Sequence, residues 1–293
     1  MTVSPEVTQT SALRSIIKLL RWDKPSGRLI LMIPALWAVF LASHGKPSWI
    51  LVGIIILGSI ATSACGCVIN DLWDRNLDDK VERTKTRPLA SKALSTQVGI
   101  VVFLISLACA GGLAFFLNPL SFWLCVAAVP VIICYPLAKR VFPIPQLVLS
   151  IAWGFAVLIS WSAVTGDLSN NTWILWGATV LWTMGFDTVY AMSDQEDDLK
   201  IGINSSAIFF GDFVADAIGL FYALTAGLFA YLGVINGFSF VFGVTWFLSV
   251  ILWVGQYVRL RFNSRESINY NGIFGQNVLI GFILLLGIIG GGR

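Results

Sequence analysis

Asn70, Asp71, Asp74 and Asp78 stand at the end of an apolar run, in the stretch Asn-Asp-Leu-Trp-Asp-Arg-Asn-Leu-Asp-Asp. If the preceding helix continues through them, Asp71, Asp74 and Asp78 share one face by the i, i+3, i+7 rule. Carboxylates crowded on one face repel one another unless a cation sits among them, and hard oxygen donors of this kind suit Mg2+. Interleaved with Arg75, Lys80 and Arg83, this run alone reads equally well as a solvated loop. A second run shifts that balance. From Asp187 the chain reads Asp-Thr-Val-Tyr-Ala-Met-Ser-Asp-Gln-Glu-Asp-Asp-Leu-Lys, so Asp194 and Asp198 are i, i+4 neighbours with Asp197 beside them. Asp187 falls two turns earlier, inside an apolar segment, where an ionisable group is costly and usually marks a function.

Two acidic clusters cannot bind an anion unaided, but through Mg2+ they can hold a diphosphate, with Lys and Arg neutralising its remaining oxygens. Arg83, Arg87, Lys139, Arg140 and Lys200 lie in the segments that could supply those cations. Lys139 and Arg140 serve equally well as interfacial anchors. No Ser/His/Asp set is apparent. His44, the one histidine, has no acid or nucleophile near it in sequence, so no catalytic role is expected of it.

The elements that must position these residues follow from composition. The chain has 293 residues, 57% hydrophobic and 12% charged, more apolar surface than one soluble core can hide. Nine apolar segments approach the length that crosses a bilayer: Leu29 to Ser43, Trp49 to Asn70, Val98 to Leu117, Leu120 to Leu137, Gln146 to Val164, Trp173 to Met192, Ala217 to Ile235, Phe238 to Val258 and Gly272 to Gly290. The expected fold is therefore an all-α polytopic membrane protein, a single domain over residues 1–293. Threaded alternately, these segments leave every Lys and Arg except Lys46 and Arg293 on one side, which the positive-inside rule makes cytoplasmic. The two acidic runs lie four helices apart and return to that same face, giving two four-helix halves plus one helix.

Residues 1–27 are mixed polar and basic, without the apolar stretch and cleavage site of a secretory signal, and are expected to stay as a cytoplasmic amphipathic segment. Cys65, Cys67, Cys109, Cys125 and Cys134 fall in or beside apolar runs, so neither disulfides nor a zinc site are expected. A net charge of +3 is too small to suggest a nucleic-acid partner. Nothing suggests an obligate protein partner.

Taken together, the motifs resemble the UbiA family of intramembrane aromatic prenyltransferases. The resemblance rests on Arg21-Trp-Asp-Lys-Pro-Ser-Gly-Arg28, Gly66-Cys-Val-Ile-Asn-Asp71 with Asp74 and Asp78, Arg83-Thr-Lys-Thr-Arg87-Pro88, Tyr135-Pro-Leu-Ala-Lys-Arg140, Pro145-Gln146, and Asp187 through Lys200-Ile-Gly. These occur in order over nearly the whole chain, and the extended forms around Asp-Lys-Pro-Ser-Gly and Tyr-Ala-Met-Ser-Asp look most like the branch that prenylates 4-hydroxybenzoate. The resemblance implies nine helices around a central cavity. It further implies that Asn70, Asp71, Asp74 and Asp78, with Asp194 and Asp198, hold Mg2+ and a polyprenyl diphosphate, and that Lys139 and Arg140 contact the diphosphate. Asn204-Ser205 departs from the Lys-Ser that relatives often carry.

The implied reaction joins the prenyl group to the ring carbon beside the hydroxyl of 4-hydroxybenzoate and feeds ubiquinone or plastoquinone. The acceptor carboxylate should meet an arginine, with Arg21, Arg28 and Arg87 unranked. A bacterial inner membrane is the expected location. Relatives acting on homogentisate, a naphthoate, chlorophyllide or haem would share the acidic runs. A secondary transporter would instead place its carboxylates near the bilayer midplane.

Overall fold

The computed structural model describes residues 12–24 and 26–292. The start of the expected amphipathic segment, Pro25 and Arg293 lie outside the described residues. A short helix α1 (Ala12–Leu19) precedes α2 (Ser26–Ala42), α3 (Trp49–Asp74), α4 (Thr96–Ala114), α5 (Pro119–Cys134), α6 (Pro145–Thr165) and α7 (Asn170–Ile201). After these come the short α8 (Ser206–Phe210), then α9 (Val214–Ile235), α10 (Phe240–Phe262) and α11 (Tyr270–Gly291). There is no strand among the described residues.

Each expected apolar segment forms helix, and local signals set several starts. The Ser95 hydroxyl accepts from the Val98 N–H at 3.3 Å to open α4. Asn118 accepts from the Ser121 N–H at 3.0 Å to open α5, with Pro119 at the first helical position. Two ends differ from expectation, and both matter. α3 runs to Asp74 and α7 to Ile201, so the residues expected to open the first long loop are instead the last turn of a helix. Asp78 is not on that helix. The chain turns at Leu77, whose N–H bonds the Asp74 carbonyl at 2.7 Å, and Asp78 begins a separate 3-10 turn, Asp78–Lys80. The shared i+7 face is therefore replaced by a fold-back.

Seven stretches are long and apolar enough to cross a membrane: α3, α4, α5 with its 3-10 extension to Arg140, α6, α8 with α9, α10 and α11. α2 has 17 residues, short of a full span on its own, and α7 carries enough threonine and acid to fall below that apolarity. With Leu104, Ile105, Phe240 and Leu286 more than half exposed, the outer surface is suited to hydrocarbon, and the chain is an integral membrane protein.

Among the described residues, α2 to α7 and α9 to α11 pack in chain order as a ring, with α11 returning to α2. The ring is pinched where α2 leans on α6 and α11 on α7. Trp37 of α2 sits in the pinch, its ring 4.9 Å from Trp182 and 5.0 Å from Phe229, and its indole N–H donates to the Gly281 carbonyl at 2.9 Å. Gly185 lets the Tyr222 ring lie against the α7 backbone, the close approach that small residues allow between membrane helices. On one side of the pinch, α2 to α6 line an apolar cavity of about 320 Å3 with residues such as Ala35, Gly58, Leu107, Val129 and Ala156.

On the other side a buried polar hub ties four helices. The Asn277 amide oxygen accepts from the indole N–H groups of Trp182 at 3.0 Å and Trp253 at 3.2 Å. Its NH2 donates to the Tyr222 hydroxyl at 3.2 Å and to Gln256 at 3.0 Å. Asn277→Ala strands two buried indole donors, and a loss of roughly 2 kcal/mol is expected. A lowered thermal midpoint in detergent would register it; an unchanged midpoint would show that the hub adds nothing.

Candidate active site

Both acidic runs end at the same cleft. The C-terminal end of α3 carries Asn70, Asp71 and Asp74, and the last two turns of α7 carry Asp194 and Asp198. Between them lies the 3-10 segment Tyr135–Arg140 that extends α5. The cleft, about 160 Å3, is lined by Asn70, Lys139, Asp194 and Asp198 together with Tyr135, Gln146, Asp187 and Asn204. Gly202, in the left-handed region at φ +71°, ends α7 just after its acids and turns the chain back toward Asn204. The Asn204 N–H then donates to the Lys139 carbonyl at 2.8 Å, fastening the second acidic run to the segment that bears the basic pair.

The carboxylates of the first run are nearly all held by cations. Asp71, 1% exposed, receives Arg21 at 2.6 Å and Arg87 at 3.3 Å. Arg87 also grips Asp78 with contacts of 2.8 and 3.1 Å, which explains the fold-back of the 3-10 turn. Asp74, also 1% exposed, takes the Lys139 ammonium at 2.6 Å and lies 3.5 Å from Arg140, whose guanidinium donates to the Trp73 carbonyl at 2.6 Å. Two carboxylate oxygens, Asp71 Oδ2 and Asp74 Oδ1, are buried without a hydrogen-bond donor. A buried anionic oxygen left bare is unfavourable unless a cation completes it.

Arg83 crosses from the first loop to the second run. Its Nε donates to the Asp194 oxygens at 2.8 and 3.1 Å, a second nitrogen bonds the same carboxylate, and Nη1 donates to the Tyr190 hydroxyl at 2.9 Å. The guanidinium lies over the Tyr190 ring at 4.7 Å. Burial works against this charge, but the Asp194 hydrogen bonds and the Tyr190 and Asp194 charges raise its pKa above the ordinary arginine value. No pair of this kind reaches the carboxylates of Asp187 or Asp198 among the described residues.

Two of the expected residues stand apart. Lys200 is 70% exposed and pairs at 3.3 Å with Asp197 on the outer surface of α7, because its position follows Asp198 round the helix away from the cleft. Arg28 turns back on its own segment, donating to the Trp22 carbonyl at 3.3 Å with its guanidinium 5.8 Å from the Trp22 ring. Conversely, Gln146 and Asn204 line the cleft although neither was expected to bind a ligand, and Asp187, expected from its apolar setting to mark a function but given no role, lines it too. The signals were present: Pro145-Gln146 opens a helix directly after the basic pair, and Asp187 is an acid in an apolar run.

The residues fit a divalent cation in one respect and limit it in another. The oxygens without a hydrogen-bond donor, Asp71 Oδ2 and Asp74 Oδ1, are hard donors of the right type, although Asp74 Oδ1 already has Arg140 at 3.5 Å. Among the described residues, however, no three His, Cys, Asp or Glu side chains converge as a ready-made cage. Mg2+ is commonly bound by one or two carboxylates with waters and substrate phosphates making up the rest, and that mode suits this arrangement.

An integral membrane protein of packed helices, with two acidic helix ends near one cleft that Lys139 lines and an apolar pocket among its helices, has the architecture of a polytopic helical membrane enzyme. The chain belongs to the UbiA prenyltransferase family, whose model matches residues 31–278. It is 64% identical over 275 residues to a protein from Synechocystis sp. named 4-hydroxybenzoate solanesyltransferase, an alignment covering 94% of each chain. It is 44% identical over 223 residues to a 4-hydroxybenzoate octaprenyltransferase from Alcanivorax borkumensis, covering 76% of this chain and 77% of that one. Among solved structures, the apo UbiA homolog from Aeropyrum pernix K1 superposes with a TM-score of 0.79 at 23% identity, covering 89% of this chain and 96% of that one. A UbiA homolog from Archaeoglobus fulgidus bound to DMAPP and Mg2+ gives 0.74 at 19% identity, covering 94% and 99%. These two likenesses concern the fold.

Proposed function

We propose that this protein transfers a polyprenyl group from polyprenyl diphosphate to the ring carbon ortho to the hydroxyl of 4-hydroxybenzoate, releasing diphosphate, in quinone biosynthesis. The observation that carries the chemistry is that Asp194 and Asp198 of the second run share one cleft with Asn70 of the first and with Lys139, whose ammonium holds Asp74 at 2.6 Å. The names of the relatives aligned along most of the chain support the acceptor and the long isoprenoid donor.

In this account Asp74, Asp78, Asp194 and Asp198 are the residues that would hold Mg2+, one or two to an ion, with Asn70 and Asp71 beside them, and the ion would supply charge neutralisation to the leaving diphosphate. Lys139, Arg140 and Arg83 are the cations placed to receive phosphate oxygens. Arg83 must then leave Asp194, and Lys139 must share Asp74, so the ion pairs seen here act as stand-ins that keep the carboxylates neutralised. The isoprenoid tail enters the apolar cavity between α2 and α6, where each buried methylene-sized unit contributes about 0.8 kcal/mol. The cleft excludes water from a reactive allylic cation and holds the ring against it.

For the acceptor carboxylate, Arg28 faces away from the cleft, which leaves Arg21 and Arg87, both already engaged by Asp71. The membrane-spanning arrangement that goes with this account has nine helices in a single domain. The cleft and amino-terminal segment face the cytoplasm, and a bacterial inner membrane is the site. α2 and α7 complete the nine as elements shielded by their neighbours rather than by lipid.

Lys200 provides a control: Lys200→Ala is expected to change turnover by no more than about twofold, since an exposed pair of this kind contributes little. A larger loss in steady-state assays would put Lys200 at the diphosphate. Acceptor identity is tested by supplying membranes containing the protein with 4-hydroxybenzoate, homogentisate and a dihydroxynaphthoate in competition and identifying products by mass spectrometry. Prenylated 4-hydroxybenzoate should dominate; preferential labelling of either rival would overturn the acceptor assignment.

A further inference from the structure

Asp187 has no part in the roles set out above, yet it occupies the inner end of the same cleft. It stands on α7 two turns before Asp194, about 10 Å along the helix axis toward the membrane interior. It lines the cleft with Tyr135, Gln146 and Tyr190. Asp71, Asp74, Asp78 and Asp194 each hold a lysine or arginine, whereas no hydrogen bond or ion pair reaches the Asp187 carboxylate from the described residues. A carboxylate at this depth is costly to keep and has no structural partner to justify it. The neighbouring Gln146 is spoken for on one side, its Oε1 accepting the Ser206 N–H at 2.7 Å.

The layering gives Asp187 a task. A diphosphate held at the level of Lys139 and Asp194 places the allylic carbon, and the ring that attacks it, deeper in the cleft. Resting on the function proposed above, we propose that Asp187 is the catalytic base that takes the ring proton of the acceptor. The allylic carbon–oxygen bond breaks with its electron pair leaving on the diphosphate. A ring π pair forms the new carbon–carbon bond ortho to the hydroxyl. The proton on that ring carbon passes to an Asp187 oxygen while its bonding pair restores the aromatic ring. Asp187 then returns the proton to the departing diphosphate, so charge and atoms balance.

The test compares the native protein with Asp187→Asn, which keeps shape and removes basicity, using 4-hydroxybenzoate deuterated at both carbons flanking the hydroxyl. The variant should lose about a hundredfold or more in turnover, the scale of a general base. It should still bind a non-hydrolysable thio-diphosphate analogue of the donor in Mg2+ with native affinity, and should show a primary isotope effect absent from the native protein, because proton removal has become slow. Asp187→Ala should regain turnover when formate is added. Native turnover in the Asn variant, a loss without an isotope effect, lost analogue binding, or an Ala variant deaf to formate would each overturn the assignment. Failure of the native protein itself to prenylate 4-hydroxybenzoate would instead overturn the function on which it rests.

Discussion

Asp74→Asn should all but eliminate prenyl transfer, lowering kcat/KM by about a thousandfold or more, or roughly 4 kcal/mol of lost transition-state stabilisation. The size of the effect follows from where this carboxylate stands. Asp74 is 1% exposed, its Oδ2 is held by Lys139 at 2.6 Å, and its Oδ1 has no hydrogen-bond donor and only the Arg140 guanidinium at 3.5 Å, so one oxygen is fixed and the other is loosely held and can turn to a stronger cation. An amide at this position offers one neutral oxygen and directs an NH2 at the phosphate cation site. Asp198→Asn should behave alike, since Asp198 lines the cleft with no pair to hold it. Expression level and thermal midpoint should stay near native for both, because Lys139 is partly exposed and can rehydrate. Steady-state kinetics over a Mg2+ titration, run beside a detergent melting curve, checks this. Full activity in either variant removes the acidic runs from the mechanism.

Arg87→Met should act the other way, through stability first. Arg87 is the only group paired to Asp78 among the described residues and the second of two on Asp71, and its guanidinium is 16% exposed. Its loss leaves a carboxylate that is 7% exposed without a counter-charge, a change that costs about 3 kcal/mol when one partner of a buried pair is removed. The first loop should loosen, with Arg83 carried away from Asp194. The thermal midpoint in detergent should fall, and limited proteolysis should cut between Asp78 and Leu94 faster than in the native protein. Arg140→Met, by contrast, removes a 40% exposed side chain and should leave the melting curve nearly unchanged while weakening donor binding. Equal destabilisation by the two variants would contradict the division between a loop-fastening arginine and a phosphate-facing one.

The difference between those arginines shows where sequence reasoning stops. Apolar runs, caps and Lys/Arg bias were enough to locate the helices, because lipid forces hydrogen-bonded backbone and twenty-residue apolar lengths into a strong local signal. That the two acidic runs share a face also followed from counting crossings, and Asn70, Asp194, Asp198 and Lys139 do meet in one cleft. Helix ends were less legible. α3 and α7 continue past their apolar parts into acidic residues, whose helix is maintained by tertiary ion pairs rather than by composition. Asp78 returns through a turn fixed by an arginine nine residues later, information no i+7 pattern contains.

The basic residues were hardest to rank for the same reason. Arg21, with a left-handed backbone at φ +56°, reaches Asp71 across fifty positions of sequence, whereas Arg28 in the same motif folds back on Trp22. Lys200 follows the second acidic run closely in sequence yet projects from its outer side. Long charged side chains choose partners by which helix lies opposite, and that is a property of the packed ring.

The most direct test of the central claim is product formation by the purified protein in detergent, given polyprenyl diphosphate and 4-hydroxybenzoate with and without Mg2+. The expected result is a single product prenylated beside the hydroxyl, lost on chelation and restored when Mg2+ is added back. An undiminished rate in excess chelator would contradict the account.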